Sequence, residues 1–274
     1  RGVGFTCEGA VTQVPSIGSR HQDCTPLCEA PMLVTLLVGT ALASCPVDTA
    51  PAGEVGVETW CEAADGTREG PSTVWEREQA WVGSYVADAR EGTWLAYDRE
   101  SRVRAVARYR KGSPVGTWRT FHASGSVAVV ARFRRGQGHG TWTWYREDGS
   151  LAQLGTYDEG LRDGVWTTFH PNGTPASLTE WSAGVRDGAY VTWTAAGERV
   201  HQGAFRSDLA QGTWVRWDGQ GHVVGIDAFE LGARQGMEAT FDTDGAVLTA
   251  QEWSDGEAVK PRATAASGLL STAY

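Results

Sequence analysis

The residues able to do chemistry in this chain do not gather into a reacting set. Six histidines are scattered along it, and only His122 and His170 stand in equivalent surroundings, 48 residues apart. There is no HExxH zinc pair, nucleophile elbow, Walker loop or dinucleotide fingerprint. Paired acids such as Glu147-Asp148 and Asp158-Glu159 abut glycines and read as solvated turn acids rather than a general acid and base. Cysteines fall at 7, 24, 28, 45 and 61 without a CxxC spacing; Cys24 and Cys28 alone would be a poor zinc site, and no paired disulfide framework is evident. The residues therefore point to no catalytic group, no metal and no cofactor. What is abundant is glycine, 35 residues, and tryptophan, 13.

Those two residue types are strictly spaced. Gly-x-aromatic recurs as Gly92 with Trp94, Gly116 with Trp118, Gly140 with Trp142, Gly164 with Trp166, Gly188 with Tyr190 and Gly212 with Trp214, always 24 residues apart. Tyr190 is the one tyrosine in this series, and a unit at Gly236 has Glu238 in the aromatic place. Five residues after each glycine stands another aromatic (Tyr97, Phe121, Tyr145, Phe169, Trp193, Trp217, Phe241), and seventeen after it a third (Tyr109, Phe133, Tyr157, Trp181, Phe205, Phe229, Trp253). Glycines recur nine and twenty residues after the first, with Ser101 and Asp208 as exceptions, and a shorter unit around Gly70 precedes the series. A fixed period of this length means a repeat architecture.

Each unit converts to two antiparallel strands. Aromatic-rich runs bounded by Asp-Gly, Asn-Gly or Lys-Gly are strands joined by tight turns. The expected fold is all-β: an elongated, twisted antiparallel meander of about eight hairpins, roughly 75 Å along the stacking direction at the usual strand spacing. In the second strands Val103, Ala105, Ala107 and Tyr109 alternate with Arg102, Arg104, Val106, Arg108 and Arg110, and Arg132 and Arg134 repeat the polar phase. One apolar and one polar face follow from period-two alternation. In the first strands the aromatics at +2 and +5 should fall on opposite faces, so either a bulge reorients one or both faces carry rings. Most tryptophans occupy repeat phases and read as packing residues; Trp60, Trp81 and Trp144 are out of phase and are the better candidates for surface contact.

Charge divides along the chain. Residues 90–135 carry eleven Arg/Lys against three Asp/Glu, whereas the net charge of the whole is −9. The acidic total argues against a nucleic-acid protein. The basic band, with Arg102, Arg104, Arg108, Arg110, Arg132 and Arg134 as a solvent-facing ladder, is the candidate contact for anionic lipid headgroups or an acidic protein. The chain divides into a leader-like segment at 1–44, a linker and capping strand at 45–65, the repeat array at 66–259 and a frayed tail at 260–274.

Two resemblances follow. The apolar run from Leu33 to Ser44 ends in Leu42-Ala43-Ser44-Cys45, which resembles the lipobox of bacterial lipoproteins. That resemblance implies lipidation of Cys45 and a membrane tether in the cell envelope, and leaves Cys61 as a lone thiol. The run carries no Lys or Arg between Met32 and Cys45. The 24-residue consensus over about 66–257 resembles bacterial MORN-variant repeats, among them YwqK-type antitoxin-like proteins and envelope lipoproteins. The resemblance implies a non-enzymatic binding or scaffolding module for protein or lipid, or neutralisation of a co-encoded toxin. Gly140-Thr-Trp-Thr-Trp-Tyr145 also resembles choline- and cell-wall-binding hairpin repeats, which implies glycan or choline recognition as a further alternative.

Overall fold

The computed structural model describes residues 45–54 and 57–260. The leader, with its lipobox run, and the tail from residue 261 lie outside them. The described residues form one open sheet of 22 antiparallel strands and contain no helix. Successive strands are neighbours throughout: Ala89–Tyr97 pairs with Val103–Arg110, Gly116–Phe121 with Val127–Arg134, and so on to Gly236–Phe241 with Val247–Ser254. The expected meander is the observed fold.

Two turn types alternate, each set by a glycine phase. The turn after the second strand is a two-residue hairpin in which both central residues take positive φ, as at Lys111 (48°) and Gly112 (75°). The turn after the first strand spans four residues and closes with a bond such as Gly125 N–H to His122 C=O, 3.0 Å, with Gly125 at φ 88°. Ser101 holds that place in the Gly92 unit and adopts φ 60°, although it has a Cβ. The glycine at the start of each unit is also left-handed, for example Gly92 at 72°, and the register skips there.

A second irregularity answers the question of the +5 aromatics. Pairing shifts by one residue between Ala96 and Tyr97, between Thr120 and Phe121, and at the same place in each later unit through Phe241. A bulge therefore precedes every +5 ring. It also ends the apolar phase of the second strand early: Ala105 and Ala107 are buried, while Val103 beyond the bulge is exposed.

The core lies on one face. The ring at +2 leans across the preceding strand, where a small residue makes room. A Cβ on Gly83 would lie 2.2 Å from Trp94 Cδ2, and Gly155 and Gly203 stand in the same relation to Trp166 and Trp214. The indole N–H donates to a carbonyl of that strand: Trp94 to Ser84 O (3.2 Å), Trp118 to Arg108 O (3.0 Å), Trp142 to Arg132 O (3.0 Å) and Trp166 to Thr156 O (3.1 Å). The +17 ring fills the space between successive indoles, so Tyr85, Trp94, Tyr109, Trp118, Phe133, Trp142, Tyr157 and Trp166 run as one chain with centroids 4.6–6.2 Å apart.

Tyr190 takes the +2 place with a smaller ring, and its surroundings differ accordingly. Its partner on the preceding strand is Thr179, where the units with a tryptophan at +2 have glycine or alanine. A phenol has no second ring to lay over that position, so a Cβ is accommodated there. Tyr190 still belongs to the stack: it lies 5.5 Å from Phe205 and 5.5 Å from Trp214, and the row continues from Trp214 to Phe229. It packs among these rings without the indole bond that Trp94, Trp118, Trp142 and Trp166 make.

The N-terminal cap is a hairpin rather than a single strand. Thr49–Glu54 pairs with Glu58–Ala63, which pairs with Arg68–Glu76. Cys61 points into the sheet with no exposed surface, and Cys45 is joined to it by a disulfide, Cα–Cα 5.5 Å. The expectations of an unpaired cysteine set and a lone Cys61 thiol are thus corrected. The strand pairing opposes Pro51 to Cys61, and the bend over 46–48 returns Cys45 to it, a closeness that linear spacing does not reveal.

Ser101→Gly relieves a left-handed Cβ and should raise stability by about 1 kcal/mol, read as a higher urea midpoint. An unchanged or lower midpoint would contradict the turn assignment.

Candidate interaction faces

The repeat geometry sorts the chemistry-bearing residues into turns and faces. The turn position six residues after the unit glycine has two uses. Asp98 accepts from the N–H groups of Glu100 (3.1 Å) and Arg102 (2.9 Å), and Asp218 does the same for Gln220 and His222. His122 instead reaches the next unit, Nε2 to Tyr145 O at 2.9 Å, as His170 does to Trp193 O at 2.8 Å and Arg146 to Phe169 O. The shared phase of His122 and His170 is therefore a structural bridge between units. Among the described residues no group of three or more His, Cys, Asp or Glu could hold a metal ion.

The six arginines of the predicted ladder divide. Arg102 and Arg104 are engaged at the turn, Arg102 with Asp98 (2.8 Å) and Glu100 (2.9 Å), Arg104 with Asp98 (3.8 Å). Burial works against the Asp98 charge, but the backbone and guanidinium of Arg102 and the Glu100 N–H hold its carboxyl below the ordinary range. Arg108, Arg110, Arg132 and Arg134 are exposed on the face opposite the rings and make no ion pair among the described residues. Arg119 joins them, because Trp118 beside it faces the rings and Val106 and Val130 are its cross-strand partners. Finding it from sequence requires knowing which face Trp118 takes.

The same face carries a stripe that alternation does not reveal. Val82, Leu95, Val106, Arg119, Val130, Thr143, Leu154, Thr167, Leu178 and Val191 lie in unbroken cross-strand register, aliphatic or threonine but for Arg119. By sequence alone Val106 counts as one member of a polar phase.

On the ring face the +17 aromatics Tyr109, Phe133, Tyr157, Phe205 and Phe229 stack against +2 rings. In five of the eight units the residue two before the unit glycine is an arginine that lays its guanidinium over the rings. Arg90 lies 4.5 Å from the Trp94 centroid and 5.5 Å from Tyr109, Arg162 4.3 and 4.7 Å from Trp166 and Trp181, and Arg186 3.9 Å from Phe205. Of the out-of-phase tryptophans, Trp81 packs against the Tyr85–Trp94–Ala107 cluster, Trp60 lies beneath Arg68, and Trp144 sits between Trp142 and Trp166 at 5.8 and 5.5 Å.

The described chain is thus a tandem β-hairpin repeat protein with an aromatic face and a basic one. Over residues 138–159 and 162–182 the hairpins match the MORN repeat variant family, and units on either side keep the same turns and register. MORN repeats are generally non-enzymatic and point to a module that binds proteins or lipids. No curated protein matches the chain significantly. Among solved structures, one of a TarM mutant from S. aureus in complex with fondaparinux, α-GlcNAc-glycerol and UDP is similar at 8% identity, over 50% of this chain and 24% of that one, with a TM-score of 0.19. The matched part spans about a quarter of that chain, and so slight a likeness carries no argument.

The turn aspartates set an acid limit on stability. Asp98, Asp148 and Asp218 are all held below their ordinary pKa, so their contribution is complete above the unfolded value and is lost as pH falls through the folded one. The melting temperature should be level from about pH 7 to 5 and fall below about pH 4. Asp98→Asn should make that fall shallower; an equally steep fall in the variant would remove Asp98 from the account.

Proposed function

We propose that the chain is a non-enzymatic binding or scaffolding module of the bacterial cell envelope, whose basic face meets an anionic surface. The observation that carries this is the set Arg108, Arg110, Arg119, Arg132 and Arg134: exposed, on one face, and without ion pairs among the described residues. A solubilising surface mixes both signs of charge. Here one sign is concentrated in a chain that is acidic elsewhere. Each basic residue close to an anionic headgroup layer is worth roughly 1 kcal/mol, so five together support reversible attachment.

Cys45 bears on the location. A sulfur in a disulfide has no valence for a thioether, so lipidation and the bond to Cys61 are alternative fates of one atom. Both belong outside a reducing cytosol, since disulfides persist in oxidising compartments and lipoprotein maturation follows export. The lipid tether adds anchorage to the basic face; the disulfide fastens the cap instead. Intact mass and thiol alkylation of protein from native membranes distinguish the two, and a free, unmodified Cys45 would count against the envelope reading.

Sedimentation with vesicles tests the face. Vesicles rich in phosphatidylglycerol should pull down the protein at low salt, and neutral phosphatidylcholine vesicles should not. Reversing Arg108, Arg119 and Arg132 to Glu should weaken binding at least tenfold. Equal binding to both vesicle types, or no loss in the variant, would sink this reading.

A further inference from the structure

The guanidinium cover on the aromatic row is interrupted. The residue two before the unit glycine is Arg68, Arg90, Arg162, Arg186 and Arg234 in five units, but Pro114, Gly138 and Ala210 in three. Each arginine caps rings of its own hairpin. Pro114 and Gly138 are in adjacent units, and there the cap is missing over Trp118, Phe133, Trp142 and Tyr157 together. Among the +2 indoles burial follows the cap: Trp94 is 0% and Trp166 3% exposed, whereas Trp118, Trp142 and Trp214, which lack it, are only half-buried. The gap falls where arginine is otherwise most concentrated, so it is not a shortage of that residue.

The gap also holds a ring that the repeat does not call for. At the position of Trp144 other units have Ala96, Thr120, Thr168 and Thr192. Trp144 extends the uncovered row sideways, 5.8 Å from Trp142. Its indole N–H makes no hydrogen bond among the described residues, unlike those of Trp94, Trp118, Trp142 and Trp166. Gln153 pairs with it across the strands and likewise keeps its side-chain amide unengaged among the described residues; Thr120 and Thr168 continue the same line.

We propose that Trp118, Phe133, Trp142, Trp144 and Tyr157 form a glycan-binding platform for an extended neutral or anionic oligosaccharide. A pyranose ring offers a face of C–H bonds that stacks on an aromatic ring and a rim of hydroxyls that needs amide, hydroxyl and indole N–H partners. The platform supplies both, in adjacent register lines. Trp118 and Trp142 stand two strands apart, about 10 Å, so a chain crossing the strands meets an indole in each unit. The rings lie side by side in a row and do not enclose a cage, which is the arrangement a quaternary ammonium needs. A peptide strand would dock on a sheet edge, and this patch is in mid-sheet.

The test uses the full chain on an array of neutral and anionic oligosaccharides, followed by calorimetry with the best-retained sugar and choline as competitor. Two variants remove the platform without removing the core. Trp144→Thr installs the residue other units use. Gly138→Arg installs the cap that Arg162 provides, at a glycine without positive φ, where a Cβ meets the Trp142 ring edge at 3.3 Å. Oligosaccharide binding should occur, and each variant should weaken it by about tenfold or more at an unchanged melting temperature. No retention of any glycan, binding indifferent to both variants, or displacement by choline would overturn the proposal. The arginines of the vesicle assay lie on the other face, so either result can fail while the other stands.

Discussion

The fold depends on one contact made in four consecutive units, at Trp94, Trp118, Trp142 and Trp166: an indole lying across the strand before it, with its N–H bonded to that strand's carbonyl. A single-layer sheet has no second layer to bury its side chains against, and most domains gain stability from such a layer. Here the rings supply it sideways. From Trp94 to Trp166 each +2 indole covers the small residue of the preceding hairpin, the +17 rings Tyr109, Phe133 and Tyr157 wedge between indoles, and where an arginine precedes the unit it closes the stack from above. The size of the residue beneath, glycine or alanine at 83, 107, 131, 155 and 203, is dictated by that indole rather than by the strand it sits in. The unit of Tyr190 is the internal control: where the indole becomes a phenol, the residue beneath grows to Thr179.

This explains what can and cannot be read from the chain. The period, the hairpins, the turn glycines and the stacking role of the +17 aromatics are local or strictly periodic, and each is legible. The bulge before Tyr97 and its counterparts is an open alternative in the sequence and needs the register to settle it. The arginine caps escape a sequence reading because the guanidinium and the ring it covers are four or nineteen residues apart, in strands whose facing depends on that same bulge. Arg119 and the aliphatic stripe are hidden for the same reason. The Cys45–Cys61 bond is masked because the lipobox pattern offers the sulfur another use.

Departures from the repeat are then informative, because the packing rule says what each ought to have been. Glu238 stands where an indole belongs, and Asp227 stands near the surface that would receive it. The two acids are satisfied by Arg216 (3.4 Å to Asp227) and Arg234 (3.8 Å to Asp227, 2.5 Å to Glu238), with the Trp253 N–H donating to Glu238 at 2.7 Å. Pro114, Gly138 and Trp144 depart in the opposite sense, by leaving rings uncovered or adding one. One set replaces the stack by an ion cluster; the other opens it to solvent.

The two ends of the array are consequently unequal. Each hairpin touches only its neighbours, so stability passes from unit to unit as in other solenoid-like chains. At the N-terminal end a disulfide ties the chain at Cys45 back to a fully buried Cys61, closing the first hairpin upon itself. At the C-terminal end the indole is gone, its substitute is a partly buried ion cluster that must offset its own desolvation, and Val247 and Leu248 of the last long strand are exposed. Loss of structure therefore has a direction. The array frays from Trp253 inward and is ratcheted at Cys61, so hydrogen exchange along it should form a gradient and not a plateau.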